Sequence, residues 1–286
     1  MFQSNIRAEV STIAKTGILL FLMLAATAAC AVLLGGRLGI MVDKLAECPP
    51  EVVALLGIYD IKAKHISLMI FYMVVILLNI VAISKVAGTA VEAIKEDEEN
   101  GSIRFFMNQT YTCNQVWIGK MIIAMVSAVV QWMVYILSMA FMIWIICYRY
   151  GINFNLELGN VLTIGIRGIV FVVLAVGICL LYSLTDEPGM TYEYFCSSVF
   201  YSMLLVGNLY KVFAMLSCYT ASAKMEVWLH KMGSVFENLR ILFPFTLLNV
   251  FNIGKNPLPD FVYIAYILIA VVVIAVYGYM YRRDAA

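Results

Sequence analysis

The chain has 286 residues, of which 63% are hydrophobic and only 13% are charged, and its mean hydropathy is +0.92. So few charged residues leave little material for a soluble domain, and this composition is typical of a protein embedded in a membrane. The formal net charge of +1 provides no global field that would favour nucleic acid or an acidic partner.

The N-terminal residues 1–16 alternate polar and apolar side chains. Phe2, Ile6, Val10 and Ile13 recur at helical spacing. This pattern predicts a short amphipathic helix that lies on the membrane surface. A solvated tail is the alternative interpretation.

Six long apolar stretches follow, separated by polar segments. Each has about 20 residues or more, which is enough to cross a hydrocarbon core of roughly 30 Å as a helix. Lipid offers the backbone no hydrogen-bond partner, so helices are the expected conformation. We therefore predict an all-α integral membrane protein in which residues 1–286 form a single transmembrane domain. The six predicted spans are 17–36, 66–91, 116–147, 161–184, 195–217 and 261–281.

The most acidic connection is segment 92–115, between the second and third spans. Carboxylates at 96–99 favour the N-terminus of a helix that begins near Gly101. That helix would carry Ile103, Phe106 and Met107 on one side, and an apolar knob on a loop suits a socket on a soluble partner. A helix resting on lipid is the alternative. The segment reads Glu96-Asp97-Glu98-Glu99-Asn100-Gly101-Ser102-Ile103-Arg104-Phe105-Phe106-Met107, and Gly119-Lys120 opens the next span.

The longest connection, segment 218–260, is not simply polar. Residues 241–251 are nearly all apolar but too few to cross a membrane. We predict helices that dip into the membrane from one side and return, forming a re-entrant segment before the last span. Helical spacing within it is shown by Val227, Trp228, Met232, Val235 and Phe236.

Orientation is not fixed by charge. An even number of spans places both termini on one side. With the termini inside, the inner segments carry fewer Lys and Arg residues than the outer ones, unless the long segment 218–260 is left out of the comparison. Because long loops count less in the positive-inside rule, charge alone leaves both orientations open.

Three charged side chains lie well inside predicted spans, namely Lys85, Arg167 and Lys211. Charges within lipid are costly and mark candidate functional positions. All three lie toward the ends of their spans, so snorkelling to the membrane surface is the alternative.

Amide side chains also fall inside the spans. Asn79 and Gln131 lie near mid-membrane, where hydrogen bonds between helices are common. Asn208 and Lys211 are three residues apart and share a helix face. The candidates for a translocation path or a dimer interface are therefore Asn79, Gln131, Arg167, Asn208 and Lys211.

Motifs for chemistry on this chain are absent from the sequence. It contains no Gly-x-x-x-x-Gly-Lys-Ser/Thr loop, no His-Glu-x-x-His, no Cys-x-x-Cys and no Gly-x-Ser-x-Gly, and its two His residues stand alone. A copper-handling role for the 17 Met residues is conceivable because thioethers suit soft metals, but lipid contact and packing are the favoured use. We expect no enzyme activity, no metal site and no cofactor on this chain.

The segment 96–120 resembles the first intracellular loop of type-2 permeases of ATP-binding-cassette (ABC) transporters. That loop reads roughly Glu-x-x-x-Gly-Thr-Leu, two Leu, a Pro, a Ser-Arg and then Gly-Lys. Thr110 and Cys113 stand where the family has Pro and Arg. The remaining positions agree in character, with Ser102 for Thr, Ile103 for Leu, Phe105-Phe106 for the Leu pair, and Gly119-Lys120 unchanged.

The resemblance implies the permease subunit of an ABC exporter, which forms the translocation path. Its expected partners are a second permease subunit, in a homo- or heterodimer, and two copies of an ATPase subunit that bind ATP and Mg. It implies a cell-membrane protein with cytoplasmic termini, a cytoplasmic coupling loop at 92–115 and an extracellular or re-entrant segment at 218–260. The residues expected to couple to the ATPase are Glu98, Glu99, Gly101, Phe105 and Phe106.

Two other functions stay open. The same architecture serves ligand sensing for signalling without transport. An ion-driven secondary transporter is the third hypothesis, although residues 17–147 and 161–281 show no convincing internal repeat of the kind common in carriers. Few charges line the spans, which favours a hydrophobic or amphipathic cargo.

Overall fold

The computed structural model describes residues 2–45, 66–99, 113–184, 190–239 and 260–285. These parts of the chain form seven helices and contain no strand. The helices are α1 (Phe2–Leu45), α2 (Ile66–Glu99), α3 (Cys113–Tyr150), α4 (Phe154–Tyr182), α5 (Tyr192–Tyr219), α6 (Ala223–Leu239) and α7 (Asp260–Ala285).

All of these helices except α6 are long and apolar enough to cross a membrane, and they contain the six apolar stretches. The prediction of six transmembrane helices in an all-α protein is therefore confirmed. The lipid-facing surface carries many large exposed apolar side chains, as expected when the solvent is hydrocarbon rather than water.

Several helix boundaries differ from the hydropathy boundaries. α1 runs without a break from Phe2 to Leu45, so its backbone has no boundary at residue 16 between a surface helix and a span. α4 begins at Phe154 because the Asn153 side chain caps it by accepting from the Asn155 N–H. α5 begins at Tyr192 because Thr191 caps it in the same way.

The turn between α3 and α4 is tight. Gly151 has φ 63°, a left-handed conformation that glycine adopts without steric cost. The Ile152 N–H donates to the Cys147 carbonyl at 2.9 Å, which satisfies one of the last carbonyls of α3. α3 and α4 are thus neighbouring antiparallel helices.

α2 lies at the centre of the bundle, because it packs against α1, α3, α4 and α5. Its apolar side chains are fully buried at several levels along its length, including Phe71, Val75, Ile80, Ile83 and Val86. α7 packs mainly on α4. The burial of α2 places several polar side chains inside the protein, namely Ser67, Asn79, Ser84 and Thr89.

Two ends of the bundle can be distinguished. At the near end, α2 ends and α3 begins, α4 ends and α5 begins, and Trp117 of α3 packs on Gly278 of α7. At the far end, α3 ends and α4 begins, and Gly35 of α1 lies against Ser67 of α2. The α2–α3 and α4–α5 connections therefore share one end.

α6 folds back against the C-terminal half of α5. The Phe213 ring stacks on Phe236 with centroids 5.3 Å apart and meets the edge of Trp228 at 6.4 Å. Gly233 allows the two backbones to approach at Tyr210. The predicted helical pattern over 227–236 is thus confirmed. Residues 240–259, which contain the predicted re-entrant turn, lie outside the described residues.

A close contact between α3 and α4 offers a test of this packing. Trp132 is fully buried, and its indole N–H donates to the Gly165 carbonyl at 2.9 Å. A Cβ atom added at Gly168 would overlap the indole ring. The Trp132 ring therefore leaves room only for glycine at position 168, one turn after its hydrogen-bond acceptor Gly165.

We expect Gly168→Ala to lower stability by about 1–3 kcal/mol because it overpacks the core. The matched control is Gly159→Ala on the same helix, where an added Cβ meets nothing within 4 Å. Alanine favours a helix interior by about 0.5–1 kcal/mol, so the control is neutral or stabilising. Thermal unfolding of purified protein in detergent is the measurement. Equal effects of the two substitutions would contradict the packing.

Candidate functional site

Buried polar side chains mark the contact between α2 and α3. Asn79, fully buried on α2, accepts a hydrogen bond at its Oδ1 from the Tyr135 hydroxyl of α3 at 2.8 Å. Its Nδ2 atom has no hydrogen-bond partner among the residues that the structure describes. A buried amide with two open N–H donors is the kind of position where an internal water binds.

A second polar contact joins α2 and α3 closer to the end of the bundle where α2 ends and α3 begins. The Thr89 hydroxyl donates to the Val86 carbonyl at 3.0 Å and lies 3.4 Å from Gln131 Oε1. The Gln131 amide nitrogen donates to Ser127 Oγ at 3.3 Å. Asn79 and Gln131, both predicted as candidate sites, therefore face the interior of the helix bundle and form contacts between α2 and α3.

A carboxylate links α2 to α4 near the far end. The Tyr72 hydroxyl donates to Glu157 Oε2 at 2.5 Å, and the Asn160 amide donates to the same oxygen at 3.3 Å. Glu157 lies in the first turn of α4, where the partial positive charge of the helix N-terminus favours an anion.

An ion pair links α2 to α5 toward the near end. The Lys85 ammonium donates to Glu193 Oε1, which lies in the first turn of α5. Gly88 lets the start of α5 approach, since an added Cβ there would overlap the Glu193 side chain. Lys85 is thus paired within the protein, which removes the need for it to snorkel. Glu92 follows Gly88 by one turn on the same face of α2.

The other predicted site residues lie at different contacts. The Arg167 guanidinium stands 5.0 Å from the centroid of the Tyr263 ring, between α4 and α7. The Asn208 amide donates to the Leu204 carbonyl of its own helix at 2.7 Å. The Lys211 ammonium lies 5.9 Å from the neighbouring Tyr210 ring. The five candidates therefore lie in three separate regions of the bundle, and their role in a path or an interface stays a prediction.

The predicted coupling residues fall largely outside the described part. Gly101, Phe105 and Phe106 belong to 100–112, whereas Glu98 and Glu99 form the end of α2, where only the backbone is described. Their role in coupling stays a prediction.

Sequence reasoning missed two carboxylates that join helices, Glu157 and Glu193, because both precede the apolar stretches. The signal that identifies them is the helix cap, since Asn153 and Thr191 are favoured N-cap residues and each is followed by an acidic residue in the first turn. These capping signals predict that both helices begin before the apolar stretches, so that the two carboxylates lie inside the helices.

No protein-family model, no curated protein and no solved structure matches this chain. Within the described residues, no group of three or more His, Cys, Asp and Glu side chains is arranged to hold a metal ion. Five cysteines in this part are free thiols, namely Cys30, Cys147, Cys179, Cys196 and Cys218.

Reversing the Lys85–Glu193 pair tests its contribution. Lys85→Glu places two carboxylates together, and we expect a loss of about 1.5–3 kcal/mol, the usual value of a hydrogen bond to a charged group. Adding Glu193→Lys restores an opposite pair but puts a cation at the N-terminus of α5, so recovery should be partial. Thermal unfolding of the two single variants and the double variant gives the coupling energy. Additive losses would show that the pair contributes nothing.

Proposed function

We propose that this chain is the membrane-spanning permease subunit of an ABC exporter in the cell membrane. Two such subunits, identical or different, form the path, and two copies of a separate ATPase subunit bind ATP and Mg. Both termini, the α2–α3 connection and the α4–α5 connection then lie in the cytoplasm. The observation that carries the proposal is the acidic, glycine-containing and apolar segment 96–107, placed between the second and third of six spans.

The arrangement of the helices supports this proposal. The near end gathers the α2–α3 and α4–α5 connections, so one soluble partner is able to contact both. The two helices are joined at that end by Lys85 and Glu193. A partner that moves the start of α5 therefore also pulls on α2.

The central position of α2 suggests how coupling would work. α2 is one continuous helix of 34 residues, and it packs on four other helices. A displacement of segment 100–112 by the ATPase would move α2 as a rigid rod and shift all four contacts. Such a cycle couples ATP and cargo because each binds two global states with different affinities.

The proposal also assigns roles to the five polar candidates inside the spans. Asn79 and Gln131 contact other helices inside the protomer, so we assign them a role in holding α2 and α3 in register during that movement. Arg167, Asn208 and Lys211 remain the candidates for the path or the interface with the second permease. A re-entrant course for 218–260 completes the proposed architecture.

The coupling loop is tested by changing Phe105 and Phe106 together to Ala. Each buried Phe contributes about 1.5–3 kcal/mol, so the double change should release the ATPase or uncouple ATP hydrolysis from transport. Membrane insertion should persist, since the spans do not depend on these side chains. The measurements are copurification of the ATPase and transport in proteoliposomes.

A matched control is Phe21→Ala with Phe141→Ala, because both rings are exposed on the spans. We expect this pair to retain the ATPase and its coupling. If the Phe105–Phe106 variant binds the ATPase and transports as the unmodified protein does, the assignment of the loop is wrong.

The orientation is tested by labelling single cysteines in a cysteine-free chain. A cysteine at Ser102 should react with a membrane-impermeant reagent only after the membrane is opened, whereas one at Asn252 should react in intact cells. The reverse pattern would place the α2–α3 connection outside and exclude contact with a cytoplasmic ATPase.

A further inference from the structure

A cavity of about 120 Å³ lies between α1, α2 and α3 at the near end. Its apolar walls are alanine and isoleucine side chains. Its polar lining comes from all three helices and consists of Thr12, Thr89, Glu96, Lys120, Ser127 and Gln131. The cavity thus combines one carboxylate, one ammonium group, one amide and three hydroxyl groups.

The inner part of the cavity is a fixed hydrogen-bonding surface. Gln131 is 3% exposed and Thr89 is 9% exposed. Gln131 is held between Thr89 and Ser127, at 3.4 Å and 3.3 Å. An amide has two N–H donors and an oxygen with two acceptor sites, so Gln131 retains capacity for a ligand while keeping both contacts.

The outer part of the cavity carries the two charges at the membrane boundary. The apolar span of α2 ends at Glu96, and that of α3 begins at Trp117, shortly before Lys120. Both charges therefore lie at the depth where lipid headgroups meet the hydrocarbon, and Trp117 is the kind of side chain found at that depth.

The cavity opens sideways toward lipid. Thr12 is exposed on α1, and Ile123 of α3 is 50% exposed among the apolar side chains of the outer surface. A molecule whose tail remains in the bilayer can therefore place its polar group between α1 and α3 without entering from the aqueous phase.

We propose that this cavity binds a zwitterionic group that carries a primary ammonium and a phosphate, as in an ethanolamine phospholipid. Glu96 accepts hydrogen bonds from the ammonium, and Lys120 donates to the phosphate. The Lys120 ammonium has three N–H donors, so it binds a phosphate oxygen while keeping any other contact. The threonine and serine hydroxyls and Gln131 contact the remaining polar atoms.

The same features select against other headgroups. A trimethylammonium group cannot donate the hydrogen bonds that Glu96 accepts, and it is larger. A purely anionic headgroup satisfies Lys120 but brings a negative charge close to Glu96. The site lies within one chain and requires neither transport nor an ATPase, so its test is independent of the proposed function.

The experiment measures binding to the purified full-length chain in detergent by native mass spectrometry, with thermal unfolding as the second readout. The probes are dioleoyl phosphatidylethanolamine, the corresponding phosphatidylcholine and phosphatidylglycerol, and soluble phosphoethanolamine. We expect saturable binding of the ethanolamine lipid with at least about tenfold preference over the other two lipids, the discrimination that one charge-assisted hydrogen bond provides.

The soluble probe distinguishes the two sources of this chemistry. If soluble phosphoethanolamine binds at the same concentrations as the ethanolamine lipid, the natural ligand is a free phosphate ester. If only the diacyl molecule binds, the ligand is a lipid. Both results support the zwitterion site. Equal binding of ethanolamine and glycerol lipids would overturn it.

Variants locate the site. Glu96→Gln and Lys120→Gln should each weaken binding about tenfold, whereas Lys120→Arg should retain it. The controls are Glu237→Gln and Arg149→Gln, which remove exposed charges elsewhere, on α6 and at the far end of α3. Ile123→Trp leaves every polar group in place and blocks the opening, so it should abolish binding even if a charge variant fails to fold. Normal binding by Ile123→Trp would overturn the proposal.

Discussion

The arrangement of this bundle depends on a simple constraint, which is that a polar side chain within lipid must find its partner inside the protein. α2 carries most of these side chains. Tyr72 contacts α4, Asn79 and Thr89 contact α3, and Lys85 contacts α5. Since lipid is as apolar as a leucine side chain, helices gain little from hydrophobic attraction to one another, and such polar contacts together with close packing set their registers.

Close packing and polar contact occur at the same places. Gly88 lets the start of α5 approach where Lys85 pairs with Glu193, and Gly168 accommodates Trp132 next to its acceptor on Gly165. In both cases a small residue brings two helices near enough for a polar contact to form. A substitution at either glycine therefore affects both the packing and the hydrogen bond.

The spans themselves were predictable, because about 20 apolar residues in lipid have only one way to satisfy their backbone. The starts of α4 and α5 were not, since hydropathy does not detect the caps at Asn153 and Thr191. The individual contacts between side chains also could not be predicted from the sequence. Lys85 was predicted as an intramembrane charge, but its partner lies 108 residues away, and only the folded arrangement brings the two together. For the same reason, five polar candidates that look alike in the sequence lie in three separate regions.

The pairing of α5 with α6 has a consequence for how the protein is made. These helices are adjacent in sequence, and they pack through Phe213, Trp228 and Phe236. Contacts of short sequence separation form early because little loop entropy is lost. The hairpin is therefore able to form as soon as both helices leave the ribosome. By contrast, the Lys85–Glu193 contact joins α5 to a helix 108 residues earlier in the chain, so closing it costs more loop entropy. We therefore expect the hairpin of α5 and α6 to form first and then to dock on the earlier helices as a unit.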